Sequence, residues 1–179
     1  MSDFTFRPVL ENVLSDFEAI QRWESDPLIV ELTRPSFIKG APVGAEERRQ
    51  QYLNGKERAN GERMIMLMNG ERPVGQMTLN MDPSHLFLKE AGSAWIGLTI
   101  GERDQWGKGL GLLALQHLEK VCWDVGAVRI ELGVFGFNER ARALYAKAGY
   151  GEIGIIPRFT FARGRWWDDV RMEKRPSKN

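Results

Sequence analysis

Apolar and polar positions change period several times along the chain, and each change marks an element. Phe4 to Leu10 alternates with the two-residue period of a strand, whereas Val13, Leu14, Phe17, Ile20 and Trp23 recur at helical spacing. Pro35 and Pro42 then break the chain. Gly44 to Arg58, dense in Glu, Arg and Gln with few apolar anchors, predicts a short exposed helix of the kind found in mobile lids. Met64 to Met68 and Val74 to Met81 are apolar runs joined by Asn69-Gly70-Glu71-Arg72-Pro73, which predicts a β-hairpin, and Ser93 to Ile100 is a further strand.

The next stretch is helical: Leu110, Leu113, Ala114, His117, Leu118, Val121, Cys122 and Val125 share one stripe, closed by Gly126. Arg129 to Val134 reads as a buried strand. Asn138 suits the cap of a helix whose apolar face is Ala141, Leu144, Tyr145 and Ala148 and which Gly149 ends. Glu152 to Pro157 and Trp167 to Met172 have the length of two closing strands. The order predicts a mixed α/β sheet. No repeat, linker or low-complexity tract divides the chain, so residues 1–179 read as a single domain.

Composition narrows the chemistry. With 42% hydrophobic and 27% charged residues over 179 positions, the chain has the make-up of one soluble globular domain. Its one cysteine, Cys122, excludes an internal disulfide and a multi-cysteine metal site, and two histidines, His85 and His117, leave little for a histidine-based one, so no metal is expected. Twenty-five basic residues against 24 acidic ones create no global field that would recommend nucleic acid or an anionic membrane as partner. No apolar run approaches the roughly 18 residues of a membrane span. Met1 to Leu10 lacks a basic segment followed by an apolar core, so the expected location is cytoplasmic, with Cys122 reduced.

The strongest local signal is Gln105-Trp106-Gly107-Lys108-Gly109-Leu110-Gly111, between a strand and the N-terminus of the best helix. Glycines there let main-chain N–H groups converge on an anion, and the helix dipole adds to them; a phosphate or pyrophosphate is the natural guest. Lys108 either adds a charge or points to solvent. The plain structural alternative is a glycine-rich turn packed tightly on the sheet. A P-loop fails because Lys108 is followed by Gly109 rather than Ser or Thr. A dinucleotide motif is satisfied by Gly109, Gly111 and Ala114, with Glu131 about 20 residues further on. Against it, Gly101 to Trp106 separates strand from glycines, and the chain has one clear strand-helix-strand unit.

A third reading joins three segments: Ile96-Gly97-Leu98-Thr99-Ile100, Trp106-Gly107-Lys108-Gly109-Leu110-Gly111, and Asn138-Glu139-Arg140-Ala141-Arg142-Ala143-Leu144-Tyr145-Ala146-Lys147-Ala148-Gly149-Tyr150. In this order and spacing they resemble the GNAT N-acetyltransferase superfamily. The branch resembled contains ribosomal-protein N-terminal, spermidine and some aminoglycoside acetyltransferases. The motifs cover Ser93 to Tyr150, whereas Glu11 to Gly61 carries none. Trp106 departs from the Gln or Arg that usually opens the loop.

The resemblance implies a mixed, mostly antiparallel central sheet of about seven strands flanked by helices, with a splayed V between the fourth and fifth strands. It implies acetyl-CoA as co-substrate, with a bulge splaying the fourth strand. Main-chain groups of Leu98, Thr99 and Ile100 would meet the pantetheine arm. The backbone of Trp106, Gly107, Lys108, Gly109, Leu110 and Gly111 would hold the pyrophosphate. Asn138 would hydrogen-bond the pantetheine arm, and Tyr145 would sit beside the thioester sulfur. Each has a bland alternative: core strand, N-cap, or an apolar-face aromatic.

The implied activity is direct transfer of the acetyl group to a primary amine, a small molecule or a peptide, in a ternary complex. The architecture leaves room for a homodimer. Tyr145, with an ordinary pKa of about 10, stays protonated at neutral pH and suits donation to the departing thiolate. The group that deprotonates the amine stays open between Glu131 and water. The alternatives in function are an acyl-CoA sensor or interaction module of the same fold, and a nicotinamide-dependent oxidoreductase. His117 and Cys122 on the helix stripe read as packed residues, and His85 as a loop residue. Trp166 and Trp167 beside Arg163 and Arg165 suit either a cation–π substrate wall or ordinary strand packing. Asp26, Glu31, Glu46, Glu47, Asp168 and Asp169 suit either attraction of a polycationic amine or a solvated surface.

Overall fold

The computed structural model describes residues 4–56 and 62–176. Seven strands form one sheet: β1 (Phe4–Pro8), β2 (Arg63–Asn69), β3 (Arg72–Met81), β4 (Ser93–Ile100), β5 (Arg129–Phe135), β6 (Gly151–Ala162) and β7 (Arg165–Lys174), in the order β1-β2-β3-β4-β5-β7-β6. Every neighbouring pair is antiparallel except β4 and β5, which are parallel. Five α-helices complete it: α1 (Leu14–Glu24), α2 (Pro27–Thr33), α3 (Ala45–Lys56), α4 (Leu110–Asp124) and α5 (Glu139–Lys147). This is the mixed, mostly antiparallel seven-stranded architecture expected.

Two cores lie on opposite faces of the sheet, and strand alternation decides which residue joins which. On one face α4 contributes Leu110, Ala114, Leu115, Leu118 and Cys122, packed against Met77, Leu79, Ile96, Ile130, Leu132, Val170 and Met172. On the other, Phe17, Ile20 and Trp23 of α1, Ile29 of α2 and Tyr52 of α3 cover Met64, Met66 and Met68 of β2. β2 is thus covered on both sides, and its five consecutive buried residues Met64 to Met68 form the unbroken apolar run this requires.

Three differences from the sequence reading have local causes. α2 was not anticipated; it starts at Pro27 with the Asp26 carboxylate accepting from the Leu28 N–H, a cap followed by a first-turn proline. α3 is no detached lid, because Arg48 pairs with Glu24 of α1 and the Tyr52 ring lies 6.0 Å from Phe17. The end of the expected 44–58 helix, Glu57 and Arg58, lies outside the described residues. β6 continues past Pro157 to Ala162, which an edge strand allows; its register with β7 breaks between Ile156 and Thr160.

Candidate active site

The ladder between β4 and β5 is short. It consists of Ser93 with Arg129, Ala94 with Ile130 and Trp95 with Glu131; beyond these the two strands part. β4 remains paired to β3 as far as Ile100, so the β5-facing main-chain groups of the segment containing Leu98 and Thr99 have no strand partner. At its end the N–H groups of Gly101 and Glu102 both donate to the Val74 carbonyl, at 2.9 and 3.1 Å. Two residues opposite one make a bulge, which re-aims the strand.

Ile100 differs from its two neighbours. Its carbonyl accepts the Trp106 Nε1–H at 2.7 Å and is therefore occupied within the protein. The same indole lies 5.6 Å from the Arg140 guanidinium at the start of α5. Trp106 thus ties the end of β4 to the helix that follows β5, a role for the side chain that its departure from the usual Gln or Arg had left undefined.

The glycine loop runs into α4. Gly107 and Gly109 have φ of +81°, a left-handed conformation that side chains disfavour, and a Cβ at either would meet nothing within 4 Å. Both therefore shape the backbone beside open space. Among the described residues the N–H groups of Gly107, Lys108, Gly109, Leu110 and Gly111 donate to no protein acceptor, while Leu112 and Leu113 turn back to the Gly109 carbonyl. These five donors stand at the positive end of a 15-residue helix, where the helix dipole favours negative charge. Gly111 has a further reason to be glycine: a Cβ there would lie 3.0 Å from Leu144 Cδ2, so it sets the approach of α4 to α5. The Lys108 side chain is exposed.

Asn138 caps α5, its Oδ1 accepting from the Ala141 N–H at 3.2 Å. This engages its acceptor, and among the described residues nothing accepts from its Nδ2. Tyr145 is 9% exposed and belongs to the α4-face core with Ile96 and Leu98 of β4, Leu110 of α4 and Val134 of β5. Burial pushes its phenol up to about 12, and no described protein group hydrogen-bonds its hydroxyl.

The opposite face of the sheet carries the carboxylates. Glu131 is completely buried and accepts from the Phe87 and Leu88 N–H groups at 2.7 and 3.3 Å, from Arg129 at 2.5 Å and from Arg171 at 3.3 Å. Burial alone would raise its pKa, but these donors hold it below the ordinary carboxylate range. With both oxygens engaged, Glu131 anchors the 82–92 loop to the sheet and has no lone pair directed at an amine.

On this face α1 and α3 also enclose a cavity of about 260 Å³ against β2 and β3, lined by Glu24, Arg48, Tyr52, Glu62, Gln76 and Thr78. Among the described residues nothing partners Arg48 Nε or Gln76 Oε1, which are buried there. Desolvation raises the Glu62 carboxyl, against the pull of its Asn80 hydrogen bond and of Arg48.

Remaining candidates resolve into packing. His117 stacks on Phe6 at 4.0 Å, and burial lowers its pKa; Cys122 is buried and pushed up to about 12, an inert thiol. His85 is exposed but meets Trp95 edge-on at 4.7 Å. Arg165 lies over Trp167 at 3.5 Å and Arg163 over Phe137 at 4.7 Å. Among the described residues no group of three or more His, Cys, Asp or Glu side chains has the arrangement of a metal site, and no helix is long and apolar enough to cross a membrane.

Fold and site together define a mixed α/β protein whose central parallel strands open beside a glycine-rich helix start with unpartnered N–H groups. Residues 19–150 match the Acetyltransferase (GNAT) family, and the chain belongs to that family. It is 44% identical over 86 residues to the uncharacterized N-acetyltransferase YdgE of Bacillus subtilis (strain 168); the aligned part spans 48% of this chain and about half, 52%, of that relative. Spermidine N-acetyltransferase from Vibrio cholerae, solved with CoA and spermine, superposes with a TM-score of 0.79 at 20% identity, over 98% of this chain and 96% of that one. Ribosomal-protein-alanine N-acetyltransferase from Brucella melitensis gives 0.77 at 22% identity, over 96% and 99%. At such identities the shared property is the fold.

Proposed function

We propose that the protein is an acetyl-CoA-dependent N-acetyltransferase that moves the acetyl group directly onto a primary amine. The observation that carries this is the convergence of three features on one opening: unpartnered main-chain groups at Leu98 and Thr99, five free N–H donors from Gly107 to Gly111, and the free Tyr145 hydroxyl in the core with residues of β4 and β5. The pyrophosphate rests on the loop donors, and the pantetheine arm pairs with β4 like a missing strand and takes a hydrogen bond from Asn138 Nδ2. The Ile100 carbonyl, already taken by Trp106, is left out of that ladder.

The chemistry asks for positioning and proton handling, because a neutral amine attacks a thioester without covalent help. Tyr145 stays protonated with its phenol raised to about 12. The gap to a thiol near 8.5 amounts to about 4–5 kcal/mol, so complete proton transfer is uphill. Its main effect is to hydrogen-bond the sulfur as charge develops there. The acceptor approaches from the face away from α4, where the cavity beside β3 accommodates a polar group remote from the reacting nitrogen.

The proposal is tested by following free thiol after mixing the protein with acetyl-CoA and a panel of peptide amines, polyamines and aminoglycosides. An enzyme releases thiol only when an acceptor is present; a non-catalytic acyl-CoA-binding module binds CoA and releases none.

A further inference from the structure

We infer that Asp169 receives the proton of the acceptor ammonium and orients its nitrogen toward the thioester, an assignment that rests on the acetyltransferase reading above. Asp169 lies on β7, paired with Phe135 of β5 on one side and Ile156 of β6 on the other. Val170 and Met172 on the same strand belong to the α4-face core with Tyr145, so strand alternation turns Asp169 to the opposite face. Proton donor and proton acceptor thus stand on opposite sides of the opening.

Gly133 fixes the carboxylate's place. A Cβ built there would fall 2.8 and 2.9 Å from the Asp169 oxygens and 3.0 Å from the Trp95 ring. The carboxylate therefore lies directly over β5, two residues beyond Glu131, where pairing with β4 ends. A side chain at 133 would occupy this position. Asp169 is 3% exposed, and its Oδ2 accepts from Arg171 Nε at 2.7 Å. Among the described residues nothing donates to Oδ1, in contrast to the saturated Glu131. The charged groups around it are Arg171 on its own strand and Glu131 on β5; β4 supplies the Trp95 ring and β6 the paired Ile156. Burial raises its pKa, Arg171 opposes the rise and Glu131 adds to it, which makes it a better proton acceptor than an exposed aspartate.

The step balances. The ammonium gives one proton to Asp169, the freed lone pair forms the C–N bond, and the C–S bond breaks with its electrons on sulfur. The nitrogen then loses a second proton, which matches the one taken up by sulfur, and Asp169 returns its proton to solvent.

Asp169→Asn keeps size and removes basicity, and Asp169→Glu keeps the carboxylate. The probes are an alkyl monoamine, with an ordinary pKa near 10.4, a peptide α-amine, near 8, and an aromatic amine that is neutral at pH 7. With the alkyl amine, Asp169→Asn lowers kcat/KM at pH 7 by roughly 10²–10⁴-fold and moves the acid limb of its pH profile up toward the amine's own pKa. The loss shrinks with the peptide and shrinks furthest with the aromatic amine, which has no proton to give. Asp169→Glu restores part of the rate, and the acetyl-CoA Kd stays unchanged in both variants. Equal losses for all three amines, or an Asn variant with wild-type rates and pH profile, overturn the assignment of Asp169 alone. A wild-type protein that transfers to none of the three overturns the acetyltransferase reading and this assignment with it.

Discussion

In the proposed mechanism Tyr145 serves the sulfur and the glycine loop the pyrophosphate, and single substitutions separate the two roles. Tyr145→Phe keeps the buried ring and removes the hydroxyl, so turnover should fall about 100-fold while the acetyl-CoA dissociation constant barely moves. Parallel loss of binding and rate would reassign the hydroxyl to holding the cofactor. Gly109→Val places a β-branched side chain at φ +81°, in the space beside the free N–H groups, and isothermal titration should show weakened CoA binding. Lys108→Ala should cost less, up to about 1 kcal/mol, since the lysine is one exposed charge against five backbone donors. A larger loss for the lysine variant would contradict a backbone cradle. Gly111→Val belongs to a different class: it drives a side chain into Leu144, so its melting temperature should drop along with its affinity. The sequence alone does not distinguish Gly111 from Gly109, because backbone angle and helix-to-helix distance leave the same letter.

At the scale of elements, the bulged end of β4 is held by contacts from distant parts of the chain. A Cβ at Gly101 would lie 2.1 Å from the Trp23 ring, and Trp23 Nε1 and Arg22 donate to Glu102, so α1 clamps the strand just before the loop. Trp106 clamps it from the other side. Trp106→Phe leaves the Ile100 carbonyl without its donor at a cost of about 1 kcal/mol, which for a domain of this size lowers Tm by roughly 2–4 °C in a thermal melt. An unchanged Tm would mean that the indole hydrogen bond contributes nothing. Long periodic elements such as α4 and the β2–β3 hairpin were legible because one face buries and the period records it. α2 was not: a seven-residue helix with a single buried residue, Ile29, leaves no stripe to read. The cap at Asp26 followed by Pro27 was its one available signal. The order of motifs from Ser93 to Tyr150 carried the family and the proposed cofactor side of the site. The proposed amine side draws on β3, β5 and β7, far apart in sequence, and in the sequence Asp169 stands out only as one of six acidic residues.

For the whole molecule, carboxylates held by ion pairs and backbone donors set the acid limit of stability. Glu131 and Glu102 have folded pKa values held below their ordinary value of 4.5, despite burial, by Phe87, Arg129 and Leu88 in one case and by Arg22, Trp23 and Arg72 in the other. Groups lowered in this way contribute stability that is complete above the unfolded value and lost as pH falls through the folded one. Tm should therefore hold at neutral pH and decline as pH drops below about 4.5. Glu131→Gln removes the carboxylate that Arg129 and Arg171 share and leaves them Glu173 and Asp169 as partners, which should cost about 1–3 kcal/mol at pH 7 in denaturant melts and flatten that acid decline. A variant as stable as wild type would show the network to be dispensable. The network keeps the 82–92 loop on β5 and β7, and with it the floor of the opening where acceptor and thioester are proposed to meet. The most direct measurement of that meeting follows acetyl-CoA labelled in its acetyl carbonyl through one turnover with an accepted amine. Direct transfer predicts label on the amine nitrogen, one free thiol for each acetylated amine, and a protein whose intact mass never changes. Label on the protein before it reaches the amine, or CoA binding with no labelled amine at all, would contradict it.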